Sequence, residues 1–399
     1  MAWRKTINGG NTLEGITLIS AVLLVFSFYQ QTFWLMFLGG LLLVLSRMSI
    51  YYLNHAADSL EFENNRETIR LSEGEETTVN IVLSQLSRLP IFQATLQVRL
   101  ENVVEGVGIP SLHSESNVEL MIPIQLKGND TIHIPLQLKA MRRGVTRIKS
   151  LELIIPNFFG FGSVELTYQP YIQKELIIHP TSIAVPQTDQ LVATKLQGNY
   201  ATPTSMYEQI LAPIGTRDYV FTDSFQRIHW KASAKTQNLQ TKIYERTAHH
   251  SWTFIINLRE PNTPNYHMGV VENIESIASN VAYMAQVATK KGIDYEVFLN
   301  IRTASQGAVY HIPIGNGTHQ LGRVLDSLAR VQRNGNTLPI NKLLRYVDKQ
   351  QQNSPVVIAC GPYEEEGYLH LAQMQKKGQR VYLLHDDVEY PAIIPLSRS

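Results

Sequence analysis

An aspartate, a histidine and a serine, Asp223, His229 and Ser233, fall within one short polar stretch of the chain. Such a set can supply an acid or base and a nucleophile, because a histidine within reach of a hydroxyl is the least that nucleophilic catalysis requires. The same stretch, Ile214 to Glu245, also holds Arg217, Tyr219, Arg227, Trp230 and Lys231. Clusters of this composition also arise as satisfied ion-pair and hydrogen-bond networks, and the sequence reveals no third group to orient His229. Two functions follow. One is a membrane-bound hydrolase using Asp223, His229 and Ser233; the other is a noncatalytic network that frames a binding surface.

The elements carrying these residues are legible from their spacing. Asp223 followed by Gln226 has capping-box spacing, which predicts a helix from Ser224. On that helix Asp223 would lie near Arg227, and His229 near Ser233, each pair four residues apart, with Ile228 and Trp230 packed beneath. Leu239, Thr241 and Ile243 then alternate as a strand that would extend a neighbouring sheet.

The chain has 399 residues, 35 Lys plus Arg against 34 Asp plus Glu, and one cysteine, Cys360. That size suits several domains. The near-neutral charge disfavours general nucleic-acid binding, and a lone thiol excludes both an intrachain disulfide and a Cys-based zinc site. From Gly15 to Ser46 there is no Asp, Glu, Lys or Arg, and the polar break Gln30-Gln31-Thr32 falls mid-run. This predicts two membrane-spanning helices, Leu13 to Phe28 and Phe33 to Leu53, joined as a hairpin. Tyr29, Phe33, Trp34, Tyr51 and Tyr52 are the expected interfacial anchors. A signal peptide is the rival, weakened because no small-x-small cleavage site precedes the second apolar run. Arg4, Lys5 and Arg47 flank the hairpin and bias its ends, and the rest of the chain, toward the cytoplasm.

Past the hairpin (residues 1–55) the period changes to two. Leu96, Val98 and Leu100 share a face, as do Ile132, Ile134, Leu136 and Leu138, and then Leu151, Leu153 and Ile155. An antiparallel β-sandwich of about seven strands is expected over 56–180. A linker and the polar motif segment occupy 181–250, and 251–399 alternates strands with helices. Trp252 to Leu258 is a buried central strand; Val271, Ile274, Ala278, Val281, Ala285 and Ala288 form a helix face; Val309 to Ile314 is an edge strand. The result is a mostly parallel, Rossmann-like sheet. Ligands of such sheets sit at the carboxyl ends of strands, yet the turn Asn257 to Asn262 carries neither a dinucleotide nor a triphosphate fingerprint. No cofactor is expected. His249-His250, Asp386-Asp387 and Glu364 to Glu366 are weaker candidates: adjacent side chains in extended backbone diverge, and acids suit a helix start.

The polar segment resembles the bacterial domain-of-unknown-function 58 family. Its Arg-x-Tyr, acidic and Arg-Ile-His-Trp-Lys-x-Ser-Ala pattern matches at Arg217, Tyr219, Asp223, Arg227, Ile228, His229, Trp230, Lys231, Ser233 and Ala234, departing at Thr222, where glycine is usual. Arg142-Arg143-Gly144 and Pro156 to Gly162 resemble further segments of that family, with Asn157 altering the second. The resemblance implies a von Willebrand factor A-like carboxyl-terminal domain whose metal-site positions are here Asn257, Arg259 and Pro261. An arginine and a proline cannot coordinate a hard cation, so no metal is expected. It also implies partnership with a MoxR-type AAA+ ATPase and a transglutaminase-like membrane protein, in a noncatalytic membrane-anchored scaffold or adaptor.

Overall fold

The computed structural model describes residues 2–56, 58–157, 162–196, 208–246, 251–261, 270–301, 309–332, 335–350, 355–385 and 391–396. The chain divides into two units, 1–179 and 180–399.

In the first unit, helices Gly10–Gln30 and Phe33–His55 are each long and apolar enough to cross a membrane. Their shared seam is small and polar: Ser20, Ser27, Gly39, Ser46 and Ser49 are buried there. The Thr17 and Ser46 hydroxyls lie 2.6 Å apart. A Cβ at Gly39 would stand 3.1 Å from Leu24 Cγ, so the helices pack where side chains are smallest. Leu18, Ile19, Val22, Val25 and Phe37 point outward. Tyr29 and Trp34 are exposed near the turn between the helices, but Tyr52 is not an outward anchor. It is 8% exposed and its hydroxyl donates to Pro90 O at 3.1 Å, because the helix end docks on the β-body.

A strand precedes the helices that the sequence reading did not anticipate. Trp3–Asn8 pairs antiparallel with Ser163–Tyr168, and the Trp3 ring meets Tyr168 edge-on at 5.2 Å. Lys5 Nζ reaches Asp58 at 3.0 Å, beyond the second helix. Chain on both sides of the hairpin is therefore built into one body.

Among the described residues that body has three sheets, of six, four and three strands, instead of about seven strands in all. The alternation was sound, since Leu153 pairs with Leu96 and Leu151 with Val98, and all four are fully buried. Short strands such as Val104–Gly106 and Ser111–His113 are too brief for period two to show.

The second unit centres on a six-stranded sheet in the order Tyr310–Gly315, Asp294–Leu299, Ser251–Ile256, Val356–Cys360, Arg380–His385, Ala392–Pro395. The inner four strands run parallel and both edge strands are antiparallel. Every residue of Ser251–Ile256 is buried, as expected of a strand covered on both faces. Helix Ile274–Lys290 buries the anticipated apolar face. Helices Gly317–Arg330, Ile340–Gln350 and Glu365–Lys376 complete the layers, with Glu364 to Glu366 starting the last. Helix Thr188–Leu196 falls within the expected linker and buries Leu191 in this core.

Strands Glu208–Asp218 and Gln240–Arg246 form a separate two-stranded hairpin. The strand through Thr241 and Ile243 thus pairs with Glu208–Asp218, with a single bridge from Thr241 to Ile228, and among the described residues it does not extend the six-stranded sheet.

Candidate functional site

The polar motif lies on the connection between the two hairpin strands. No helix starts at Ser224. Ser224 and Ile228 are extended, with ψ of 135° and 130°, and only a single 3₁₀ turn, Phe225–Arg227, separates them. The capping-box expectation failed because Asp223 is engaged elsewhere. Its carboxylate accepts from Arg217 Nη1 at 2.8 Å and Nη2 at 2.6 Å, from the Val220 N–H at 3.1 Å and from Thr241 Oγ1 at 3.1 Å. Asp223 thus pairs with Arg217 across the hairpin and not with Arg227 along a helix. A forked guanidinium matches a carboxylate bidentately. That match holds the Asp223 carboxyl down to about 2 from the ordinary 3.8, helped by Val220 and Thr241. Tyr219 closes the same turn, its hydroxyl donating to Asp223 O at 3.2 Å.

The α-helix begins later, at Trp230, and ends at Thr236. His229 is its cap: Nδ1 accepts from the Ala232 N–H at 3.0 Å. Ser233 Oγ donates to His229 O at 3.1 Å and accepts from the Gln240 N–H at 2.8 Å. The expected imidazole–hydroxyl bond is absent among the described residues. Asp223, His229 and Ser233 therefore form no relay; each is bonded to backbone or to Arg217 and Thr241. Ile228 packs beneath as expected, at 2% exposed, but Trp230 does not, at 67%. Lys231 projects into solvent.

Two aromatic residues that the motif did not single out share this exposure. Phe221 is 95% exposed and Phe225 72%. The available signal was their position in the same polar turn, where no apolar period accounts for a phenylalanine.

At the carboxyl ends of the parallel strands, where no metal was expected, Asn257 anchors an amide network. Asn257 Oδ1 accepts from Asn300 Nδ2 at 2.6 Å and from the Arg259 N–H at 3.1 Å, while Asn257 Nδ2 donates to Pro362 O. Asn300 also bonds the Leu258 N–H and Leu338 O. Gly361 has φ of 87°, and a Cβ there would stand 2.0 Å from Asn257 O, so only glycine fits this close approach. Asn257, Arg259, Pro261, Pro339, Asn341 and Glu364 line a cavity of about 160 Å³. Among the described residues no group of three or more His, Cys, Asp or Glu side chains is placed to hold a metal ion. His249-His250, Asp386-Asp387 and Phe158 to Phe161 lie outside the described residues.

No protein-family model and no curated protein matches the chain. Among solved structures, a β-glucosidase from Listeria innocua in complex with gluconolactone is similar at 13% identity and a TM-score of 0.18, covering 30% of this chain and 16% of that one. A non-cellulosomal cohesin from Archaeoglobus fulgidus is similar at 9% identity and a TM-score of 0.21, covering 30% and 91%. A chain of a type I cohesin–dockerin complex from Clostridium thermocellum gives 6% identity and a TM-score of 0.20, covering 30% and 99%. Likenesses at these scores carry no argument about function.

Proposed function

We propose that the chain is a noncatalytic, membrane-anchored scaffold or adaptor of the domain-of-unknown-function 58 type. It would work with a MoxR-type AAA+ ATPase, and with a transglutaminase-like membrane protein, in the assembly or maturation of membrane or envelope complexes. The observation that carries this proposal is the use made of the motif's polar groups: Asp223, His229 and Ser233 hold the hairpin connection in shape while Trp230 stands exposed. A frame that displays an aromatic side chain suits docking better than turnover.

Three further features support the proposal. Strand Trp3–Asn8 and the chain after His55 belong to one β-body, which suits a helical hairpin leaving and re-entering on one membrane face. Arg4, Lys5 and Arg47 at its base favour the cytoplasmic side. The first strand in sequence, Ser251–Ile256, sits inside the sheet with helices around it, in keeping with a von Willebrand factor A-like domain. Its cation position is replaced by the Asn257–Asn300 network.

Copurification of the full-length protein with a MoxR-type ATPase, in the nucleotide-free, ATP-analogue and ADP states, tests the proposal. Association in at least one state is expected. Failure in all three, or a hydrolytic activity abolished by His229→Ala in a folded protein, would remove it.

A further inference from the structure

The aromatic surface of the hairpin connection also indicates what it binds. Phe221, Phe225 and Trp230, within ten residues of chain, are 95%, 72% and 67% exposed, and Val220, next to Phe221 in sequence, is 53% exposed. Large aromatic groups left in water are unfavourable, and clusters of them mark interaction sites. These are not loose loop residues. The Arg217–Asp223 fork fixes the turn bearing Val220 and Phe221, and the Phe225 ring rests 5.9 Å from that of Tyr219. Trp230 opens a helix capped by His229. Such preorganisation reduces the entropy lost on binding a shaped partner.

The charge of the surface is net positive. Between Gly215 and Ile243 the acids are Asp218 and Asp223. Both are engaged within the hairpin, Asp218 by Gln240 Nε2 at 2.5 Å and Asp223 by Arg217. Lys231 and Lys235 stand one helical turn apart and exposed, directly after Trp230. Asp218 is exposed and keeps its charge beside the neutral Gln240 amide, but Arg227, Lys231, Lys235 and Lys242 outnumber it, so what faces solvent is aromatic and net cationic.

Resting on the adaptor proposal above, the geometry points to an acidic protein segment with an apolar face as the occupant of this surface. Its apolar side chains cover Phe221, Phe225 and Trp230, and its carboxylates meet Lys231 and Lys235. A protein is favoured over an anionic lipid surface because a bilayer adapts to any arrangement of aromatics and gains little from a turn locked by a bidentate pair. Three aromatic side chains at roughly 150–250 Å² each make a small interface, of the size that suits a transient contact.

The test uses the full chain in phosphatidylcholine nanodiscs. The probe is a fluorescent helix-forming peptide with leucine at i, i+3, i+4 and i+7 spacing and glutamate elsewhere, and its control carries lysine in place of glutamate. Saturable binding of the acidic peptide is expected, about tenfold or more tighter than the control. Phe225→Ala and Trp230→Ala, made at exposed positions so that folding is retained, should each weaken it about tenfold or more. The pair Lys231→Glu with Lys235→Glu should reverse the preference between the two peptides. Equal binding of both peptides, or binding indifferent to these variants, overturns the inference. So does quenching of a dye at Phe221→Cys by spin-labelled lipid in phosphatidylglycerol nanodiscs, which would make the bilayer the occupant. ATPase copurification fails independently: peptide binding without the ATPase keeps the acidic partner but changes its identity, whereas ATPase binding without the peptide moves docking elsewhere and overturns this surface.

Discussion

Arg217 and Asp223 face each other as a two-pronged ion pair, Nη1 to Oδ2 at 2.8 Å and Nη2 to Oδ1 at 2.6 Å. The pair spans the turn that carries Val220 and Phe221. It converts an aspartate that could have been a catalytic acid into a clamp, because Arg217 bonds both oxygens and holds the carboxyl ionised, with no proton to give, at any pH well above about 2.

The clamp is pH-dependent in a definite direction. The folded Asp223 carboxyl titrates near 2, below its ordinary 3.8, with Arg217 as the leading cause. Its contribution is fully present above the ordinary value and is lost as pH falls toward the folded one. The ¹³C carboxyl shift of Asp223 should titrate near 2, and in Arg217→Met should move up toward 3.8. A midpoint unchanged by that substitution would show that Arg217 is not the cause.

His229 and Ser233 should behave as structural parts of unequal weight. His229→Ala removes a helix cap and should destabilise the hairpin by about 1 kcal/mol. Ser233→Ala leaves the buried Gln240 N–H without its acceptor and should cost about 1–3 kcal/mol. Hydrogen exchange at the Gln240 amide reads both effects, and the serine variant is expected to exchange faster.

A carboxylate placed at the sheet end should not create a metal site. In Asn257→Asp an oxygen replaces the nitrogen that donates to Pro362 O, and the side chain is 4% exposed. A loss of about 1–3 kcal/mol is expected on thermal unfolding, with no recovery on adding magnesium. Stabilisation by millimolar magnesium would contradict the amide-network description.

The helical hairpin makes a topological prediction. Gln31→Cys, between the helices, and Asn54→Cys, at the base, should be labelled by an impermeant maleimide from opposite sides of a sealed membrane. Native Cys360 is buried and should stay silent. Labelling of both from one side would rule out a spanning hairpin. Within the helix pair, Ser46→Ala removes the Thr17 contact and should weaken association by about 0.6 kcal/mol.

Much of the scaffold was legible because its signals are local and repeated. The run Trp252 to Ile256, apolar except for Thr253, and the helical face through Ile274, Ala278 and Val281 can be read without a structure, since burial dictates residue type at each step of the repeat. Strand Trp3–Asn8 was not legible. It mixes charged and apolar residues and forms only because Ser163–Tyr168, distant in sequence, offers its edge.

The chain's own order of residues determined the paired apolar helices, the two alternating β regimes and the location of the polar motif, because each is written in composition or short-range period. Only the folded arrangement decided what the motif's side chains do. Spacing offered Asp223 partners at Gln226 and Arg227, but the turn after the first hairpin strand brought it against Arg217 and the second strand brought it against Thr241. The same pairing set Ser233 against Gln240 and left Phe221, Phe225 and Trp230 in solvent. Hydrogen-bond choice among competing donors is fixed by long-range register, which no local pattern encodes.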